Sequence, residues 1–110
     1  VQFVMGILGG VPAGVENLMF LHQTAQRTFG ADLEWSVCAA GRHQMPMVTA
    51  GLLMGSHVRV GLEDSLFISR GTLARSSAEQ VEKVVRIARE LNIEIASPDE
   101  ARQILGLASL

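Results

Sequence analysis

The chain has 110 residues, of which 48% are hydrophobic and 18% charged, and its formal net charge is −2 at pH 7. This length fits one small domain, and the charge balance lacks the basic surface that nucleic-acid binding requires. The hydrophobic fraction is high for so small a domain, which has a large surface relative to its volume. We therefore expect residues 1–110 to be the C-terminal part of a longer protein, whose other segments cover the apolar faces.

The single cysteine, Cys38, lies in an apolar stretch and has no partner for a disulfide within the chain. This favours a reducing, cytoplasmic setting. We expect a buried structural thiol, because no His or Lys is near Cys38 in sequence to activate it. No apolar run approaches the roughly 20 residues that a membrane span requires, so no membrane partner is expected.

Apolar runs typical of strands alternate with helical patterns along the chain. The predicted strands cover about residues 3–8, 33–39 and 58–60. Helices are predicted over about residues 15–29 and 45–54, from the capping box Ser76-x-x-Glu79 to about Leu91, and from a second capping box at Ser97 onward. Residues 65–75 are predicted to form a long polar connection.

This order of elements predicts an α/β fold with a parallel sheet. Three strand–helix units are too few to close a barrel, which takes eight strands. The pattern fits either the last three β/α units of a (β/α)8 TIM barrel or half of an open doubly wound sheet. Periodicity alone does not choose between these two architectures.

The most informative segment runs from His57 to Asp64. Val58 and Val60 alternate with Arg59 as in a short strand, a glycine then interrupts the pattern, and an acidic pair follows at once. In α/β proteins the functional site lies at the carboxyl ends of the parallel strands. The segment therefore predicts a charged site at the carboxyl end of the third strand.

Together with Gly55, this segment resembles the signature G-x-H-V-R-V-G-L-E-D of the β-keto acid cleavage enzymes, a family related to 3-keto-5-aminohexanoate cleavage enzyme. The resemblance continues through Gly71–Ala74, Ser77–Glu79 and Ala96–Arg102, and so covers nearly the whole chain. Ser56, Ser65 and Ser76 depart from the family pattern. Because Ser56 and Ser65 are near the predicted site, these departures concern substrate class more than reaction type.

The family consists of zinc-dependent (β/α)8 barrels, so the resemblance implies that residues 1–110 are the C-terminal portion of one TIM-barrel catalytic domain. It also implies an enzyme that condenses a β-keto acid with acetyl-CoA, giving acetoacetate and a new acyl-CoA. The family assembles as oligomers, which implies a homo-oligomer here. The chain alone is expected to be inactive.

The resemblance also implies roles for three residues of the signature. Glu63 would bind Zn²⁺ together with two histidines of an H-x-H motif, which residues 1–110 do not contain. Asp64 would be the catalytic base and Arg59 would orient it. Spacing alone leaves other roles open, because Glu63 could cap a helix or pair with Arg59, and Arg59 with Asp64 could form an ordinary ion pair.

Arg42 follows the second predicted strand at the start of a helix. Loops after strands seven and eight of a barrel often bind phosphate, so Arg42 is a candidate for binding a phosphate of CoA. An arginine that is simply solvated is an equal alternative.

The glycines of residues 6–14 lack the G-x-G-x-x-G spacing of a dinucleotide site. His57 precedes its strand, on the side opposite the carboxylates, and we expect a structural role for it.

Two other functions remain open from the sequence. The chain could belong to a metal-free α/β binding module in which Glu63 and Asp64 serve only structure. It could also belong to a different metal-dependent TIM-barrel lyase or aldolase, which would keep Glu63 as a ligand but would not depend on CoA.

Overall fold

The computed structural model describes residues 1–108 and has an α/β architecture. A parallel sheet of three strands contains β1 (Gln2–Met5), β2 (Ser36–Ala39) and β3 (His57–Val58). The helices are α1 (Val15–Phe29), α2 (Gln44–Leu53), α3 (Ser77–Glu90) and α4 (Pro98–Ile104), and a 3₁₀ turn (Gly41–His43) precedes α2. A separate antiparallel hairpin joins strands β4 (Phe67–Ser69) and β5 (Thr72–Leu73).

The predicted parallel sheet is confirmed, with β2 in the centre between β1 and β3. Its register places Gln2 beside Ser36, and Ser36 beside His57. The strands are shorter than predicted, but the pairing of β3 continues beyond its last residue, because Arg59 N donates to Val37 O at 3.0 Å. All three strands end at the same edge of the sheet, as parallel strands require.

Helices cover one face of the sheet and form two apolar clusters with it. The first cluster contains Met5, Leu18, Trp35, Val37, Ala39 and Met47. The second contains Val48, Leu52, Val84 and Ala88. The opposite face of the sheet carries the alternate residues of each strand, and there Val4 remains 44% exposed. The site described below lies on this second face.

The helix boundaries follow the local signals in the sequence. Helix α1 spans Val15–Phe29 as predicted, and Gly30 follows it with a positive φ of 103°. The Ser76 side chain caps α3 by accepting from Glu79 N at 3.1 Å. Ser97 and Glu100 form a reciprocal capping box at the start of α4, which is the arrangement that the sequence predicted.

The prediction of a long polar connection over residues 65–75 is wrong, because this segment contains the β4–β5 hairpin. Phe67, Ile68 and Thr72 are residues with strong β-propensity, and Gly71 between the two strands adopts a φ of +76° that a turn can use. Polar residues at the turn hid this pattern. The hairpin is closed by a hydrogen bond from Ala74 N to Leu66 O at 2.8 Å.

Gly51 lets helix α2 pack closely on the sheet. A Cβ atom there would clash with Val37 Cγ1 and would lie 2.5 Å from Ser56 Oγ. We expect Gly51→Ala to lower the free energy of unfolding of the complete protein by about 1–2 kcal/mol, because overpacking outweighs the gain in helix propensity. Thermal unfolding measures this, and the loss should shrink in a Val37→Ala background. An unchanged midpoint for the single variant would contradict the close packing.

Between residues 1 and 108, no helix is both long and apolar enough to cross a membrane.

Candidate functional site

The loop of residues 61–65 follows β3 at the carboxyl ends of the parallel strands. It turns on itself, since Asp64 N and Ser65 N both donate to Gly61 O, at 3.1 and 3.3 Å. Gly41, in the turn just after β2, donates its N–H to Asp64 O at 2.7 Å. The backbone of the loop is therefore fixed to the neighbouring strand end.

Two buried glutamine side chains bind the backbone carbonyls at the two ends of this loop. Gln44 on α2 donates through Nε2 to Gly61 O at 3.1 Å, and Gln80 on α3 donates through Nε2 to Ser65 O at 2.7 Å. The two side chains are only 1% and 0% exposed. Since buried amides stabilise the carbonyls that they bind, both helices fix the position of the acidic residues between these anchors.

The structure brings Arg59 and Asp64 together in an ion pair. Arg59 Nη2 donates to Asp64 Oδ1 at 2.8 Å and to Oδ2 at 3.1 Å. The hydrogen bond that Arg59 donates to Asp64 raises the pKa of Arg59 above its usual range. Arg59 Nη1 also donates to Gln2 Oε1 at 3.3 Å, so the arginine reaches across the uncovered face of the sheet to β1. The Asp64 side chain is only 8% exposed, which holds its carboxylate in one place.

Glu63 is exposed at the same edge of the sheet. Its carboxylate folds back over Gly61, where an added Cβ would lie 2.7 Å from Glu63 Cδ. Glu63 makes no side-chain hydrogen bond or ion pair with any residue in the range 1–108. The two oxygens of Glu63 thus differ from those of Asp64, because they are available to an external cation.

The arrangement supplies one candidate metal ligand rather than a complete set. Within residues 1–108, no three His, Cys, Asp or Glu side chains lie close enough together to hold a metal ion. A structural or catalytic zinc site needs at least three protein ligands. The unengaged carboxylate of Glu63 fits one position of such a set, and the others would have to come from outside these residues.

Cys38 is buried on β2, as the sequence predicted, and lies on the same face of the sheet as the site. Burial raises the pKa of its thiol, and the negative charges of Asp64 and Glu63 raise this pKa further, against the opposing effect of Arg59. The sequence did not indicate this proximity. The alternation of β2 could have done so, since Val37 and Ala39 face the helices and Cys38 must face the other way.

We expect native Cys38 to react slowly with iodoacetamide in metal-free protein at neutral pH, because the thiol is buried and protonated. The raised pKa of the Cys38 thiol also makes the stability of the folded protein depend on pH. The contribution of this thiol is fully present below its unfolded-state pKa, and it is lost as pH rises through its folded-state pKa. Mass spectrometry should show alkylation at least about tenfold faster in denaturant. Equal rates in native and denatured protein would contradict the burial.

His57 lies at the opposite end of its strand from the acidic loop. Its Nε2 is 2.7 Å from Glu34 Oε2, just before β2. This contact links the amino-terminal ends of two neighbouring strands. The geometry separates His57 from Glu63 and Asp64, in line with the structural role expected from the sequence.

Arg42 is exposed on the 3₁₀ turn after β2, where it lines a cleft beside the loop. Gln44 and Gln80 were not predicted as part of the site, because in the sequence they stand among helical residues as ordinary polar positions. The available signal was weak: Gln80 lies one turn before Val84 on the buried face of α3, and a polar residue there requires a buried partner.

The chain is similar to a known protein family and to curated proteins. The family model described as "beta-keto acid cleavage enzyme" matches residues 1–107. This match extends over the strands, the acidic loop and the helices that hold it.

Curated relatives agree with this match. A 3,5-dioxohexanoate:acetyl-CoA acetone transferase from Paraburkholderia graminis is 50% identical over 107 residues, covering 97% of this chain and 34% of the relative. A 3-keto-5-aminohexanoate cleavage enzyme from Fusobacterium nucleatum is 46% identical over 106 residues, covering 96% and 37%. A 3-oxoadipate:acetyl-CoA acetyltransferase from Cupriavidus necator is 37% identical over 110 residues, covering 100% and 38%.

The chain thus spans little more than a third of the length of these relatives, between 34% and 38%. The family model covers all but the last three residues of the chain. The chain belongs to the beta-keto acid cleavage enzyme family.

Proposed function

We propose that the protein containing this chain transfers acyl groups between a β-keto acid and acetyl-CoA. In this reaction the acetyl group of acetyl-CoA and the acyl group R–CO of the keto acid R–CO–CH₂–COO⁻ exchange places. The products are acetoacetate and R–CO–CoA, so all atoms balance. The names of two relatives contain acetyl-CoA together with a 3-oxo acid, 3,5-dioxohexanoate or 3-oxoadipate, which supports this substrate class.

We also infer that residues 1–110 form the last three β/α units of a (β/α)8 catalytic barrel. The parallel order β1-β2-β3 with helices on one face supports this, because a barrel places its helices outside the sheet and its site at the carboxyl ends of the strands. The uncovered face would then line the barrel interior.

The observation that carries the proposal is the pairing of Arg59 with Asp64 at 2.8 Å beside the free carboxylate of Glu63. A carbon between a keto group and a carboxylate has an acidic proton, and a positioned carboxylate can remove it. Asp64 would accept this proton on a side-chain oxygen. Arg59 would hold the Asp64 carboxylate in the orientation for this transfer.

Glu63 would be one ligand of a zinc ion, with two histidines contributed by chain outside residues 1–110. When bound, zinc would polarise the keto group of the substrate. The loop anchored by Gln44 and Gln80 would fix Glu63 and Asp64 relative to one another, so that the ligand and the base act on the same substrate.

Acetyl-CoA would be the co-substrate, and Arg42 would contact one of its phosphates. Arg42 lies on the turn whose first residue, Gly41, binds the backbone of Asp64, so a CoA molecule could reach both positions through its pantetheine arm. A cytoplasmic location is consistent with the single reduced cysteine and with the use of CoA. The exposed apolar residues of α1, among them Phe20 at 63% exposure, are consistent with a homo-oligomer.

Turnover of the complete protein tests this function. Purified protein with zinc should convert 3-oxoadipate or 3,5-dioxohexanoate to acetoacetate and a new acyl-CoA only when acetyl-CoA is present. Mass spectrometry detects both products. Cleavage of the keto acid without acetyl-CoA would favour an aldolase, and no turnover across a panel of β-keto acids would contradict the proposal.

A further inference from the structure

A cleft of about 760 Å³ lies next to the acidic loop. One wall is the turn after β2, with Arg42, and the other is the β4–β5 hairpin, with Arg70 at its tip. Lys83 of helix α3 also lines the cleft, on the side of the hairpin, whose Ile68 O it binds. The size is within the range of pockets that bind small molecules, about 300–1,000 Å³.

The charge of this cleft differs from that of the chain. Of the lining residues within positions 1–108, three are basic and none is acidic, although the chain carries a net charge of −2. The Lys83 Nζ donates to Ile68 O of the hairpin, which fixes the ammonium group and leaves two of its protons for another acceptor. A concave surface with three cations and no carboxylate is suited to an anion with several negative charges.

The cleft is continuous with the proposed catalytic loop. Gly41 lines the cleft and donates its N–H to Asp64 O at 2.7 Å, and Ser65 lines it directly after Asp64. Gln44 also lines the cleft, and its buried Oε1 has no hydrogen-bond partner within residues 1–108. A ligand whose charged end lies in the cleft would therefore have its other end near Asp64.

We propose that this cleft binds the phosphorylated nucleotide end of acetyl-CoA, with Arg70 and Lys83 as phosphate contacts in addition to Arg42. The assignment rests on the proposed function, because it takes acetyl-CoA as the co-substrate. Arginine binds phosphate through paired N–H groups and lysine through its compact charge. Phe67 and Met45, which also line the cleft, give an apolar surface for the adenine ring.

Calorimetry with the complete protein tests this proposal, with 3′-phosphoadenosine 5′-phosphate as the probe and no thioester chemistry involved. Arg70→Ala and Lys83→Gln should each weaken binding of the probe about tenfold, as expected for one charge-assisted hydrogen bond. Arg89→Ala, at an exposed position of α3 away from the cleft, is the matched control and should leave the affinity unchanged. Because Lys83 also binds the hairpin, the Arg70 variant is decisive if Lys83→Gln fails to fold.

Kinetics separate this proposal from the proposed function. In Arg70→Ala the ratio of kcat/KM for acetyl-CoA to that for acetyl-pantetheine, which lacks the nucleotide, should fall about tenfold. An unchanged ratio in an active enzyme would overturn the cleft assignment while the function stands. Equal affinity of the wild type for inorganic phosphate and for the nucleotide, or no binding of the nucleotide, would also overturn it. If the protein showed no turnover but Arg70→Ala still weakened nucleotide binding, the assignment of the cleft would be supported although the proposed reaction had failed.

Discussion

Replacing Glu63 with glutamine should remove bound zinc from the complete protein and abolish turnover. The amide is neutral and binds zinc far more weakly than a carboxylate, and zinc sites that keep an open position have only three protein ligands. Removing a group that only hydrogen-bonds to a metal ligand lowers metal affinity by about 10–100-fold. Because Glu63→Gln removes the ligand itself, we expect zinc affinity to fall by at least about 100-fold. Zinc content by elemental analysis after gel filtration measures this directly.

Glu82→Gln is the matched control for this variant, since Glu82 is an exposed glutamate on α3. It should retain the zinc content and activity of the wild type. Undiminished zinc in Glu63→Gln would exclude Glu63 as a ligand, and it would then favour a site in which the carboxylate serves only the structure of the loop.

Replacing Asp64 with asparagine should lower kcat by about 10²–10⁴-fold, the range for loss of a positioned general base. This corresponds to about 3–5 kcal/mol of transition-state stabilisation. Asparagine keeps the size of the side chain and still offers one oxygen to Arg59, so the loop should remain in place. Steady-state kinetics with saturating acetyl-CoA measure the effect on kcat.

Bound zinc separates the role of Asp64 from that of Glu63. Asp64→Asn should retain zinc while losing turnover, whereas Glu63→Gln should lose both. Asp32→Asn, in the exposed loop before β2, controls for the change of charge. If Asp64→Asn kept more than about a tenth of wild-type kcat, Asp64 would be a structural partner of Arg59 rather than the base.

Most of the fold was predictable from the sequence because its signals are local. The capping serine of α3 and the capping box of α4 predicted the starts of these helices, and Gly30 marked the end of α1. The hairpin was not predicted, since β4 and β5 have only three and two residues. Their stabilising contacts come from elsewhere, including the bond from Lys83 to Ile68 O, and no local pattern encodes such a contact.

The candidate site was predictable only in part. The nearness of Arg59 and Asp64 follows from their separation of five residues across a tight turn. The roles of Cys38 and Gln80 depend on the register of strands and on helix packing, which bring together residues far apart in sequence. Arg70 and Lys83 reach the same cleft for the same reason, and neither is distinguishable by spacing from a solvated surface cation.

Zinc-edge anomalous diffraction from crystals of the complete, zinc-loaded protein tests the central claim most directly. A single strong peak should lie about 2.0–2.2 Å from a carboxylate oxygen of Glu63, on the face of the sheet that carries Arg59 and Asp64. A fully occupied zinc peak remote from Glu63, with its side chain in bulk solvent, would contradict the account.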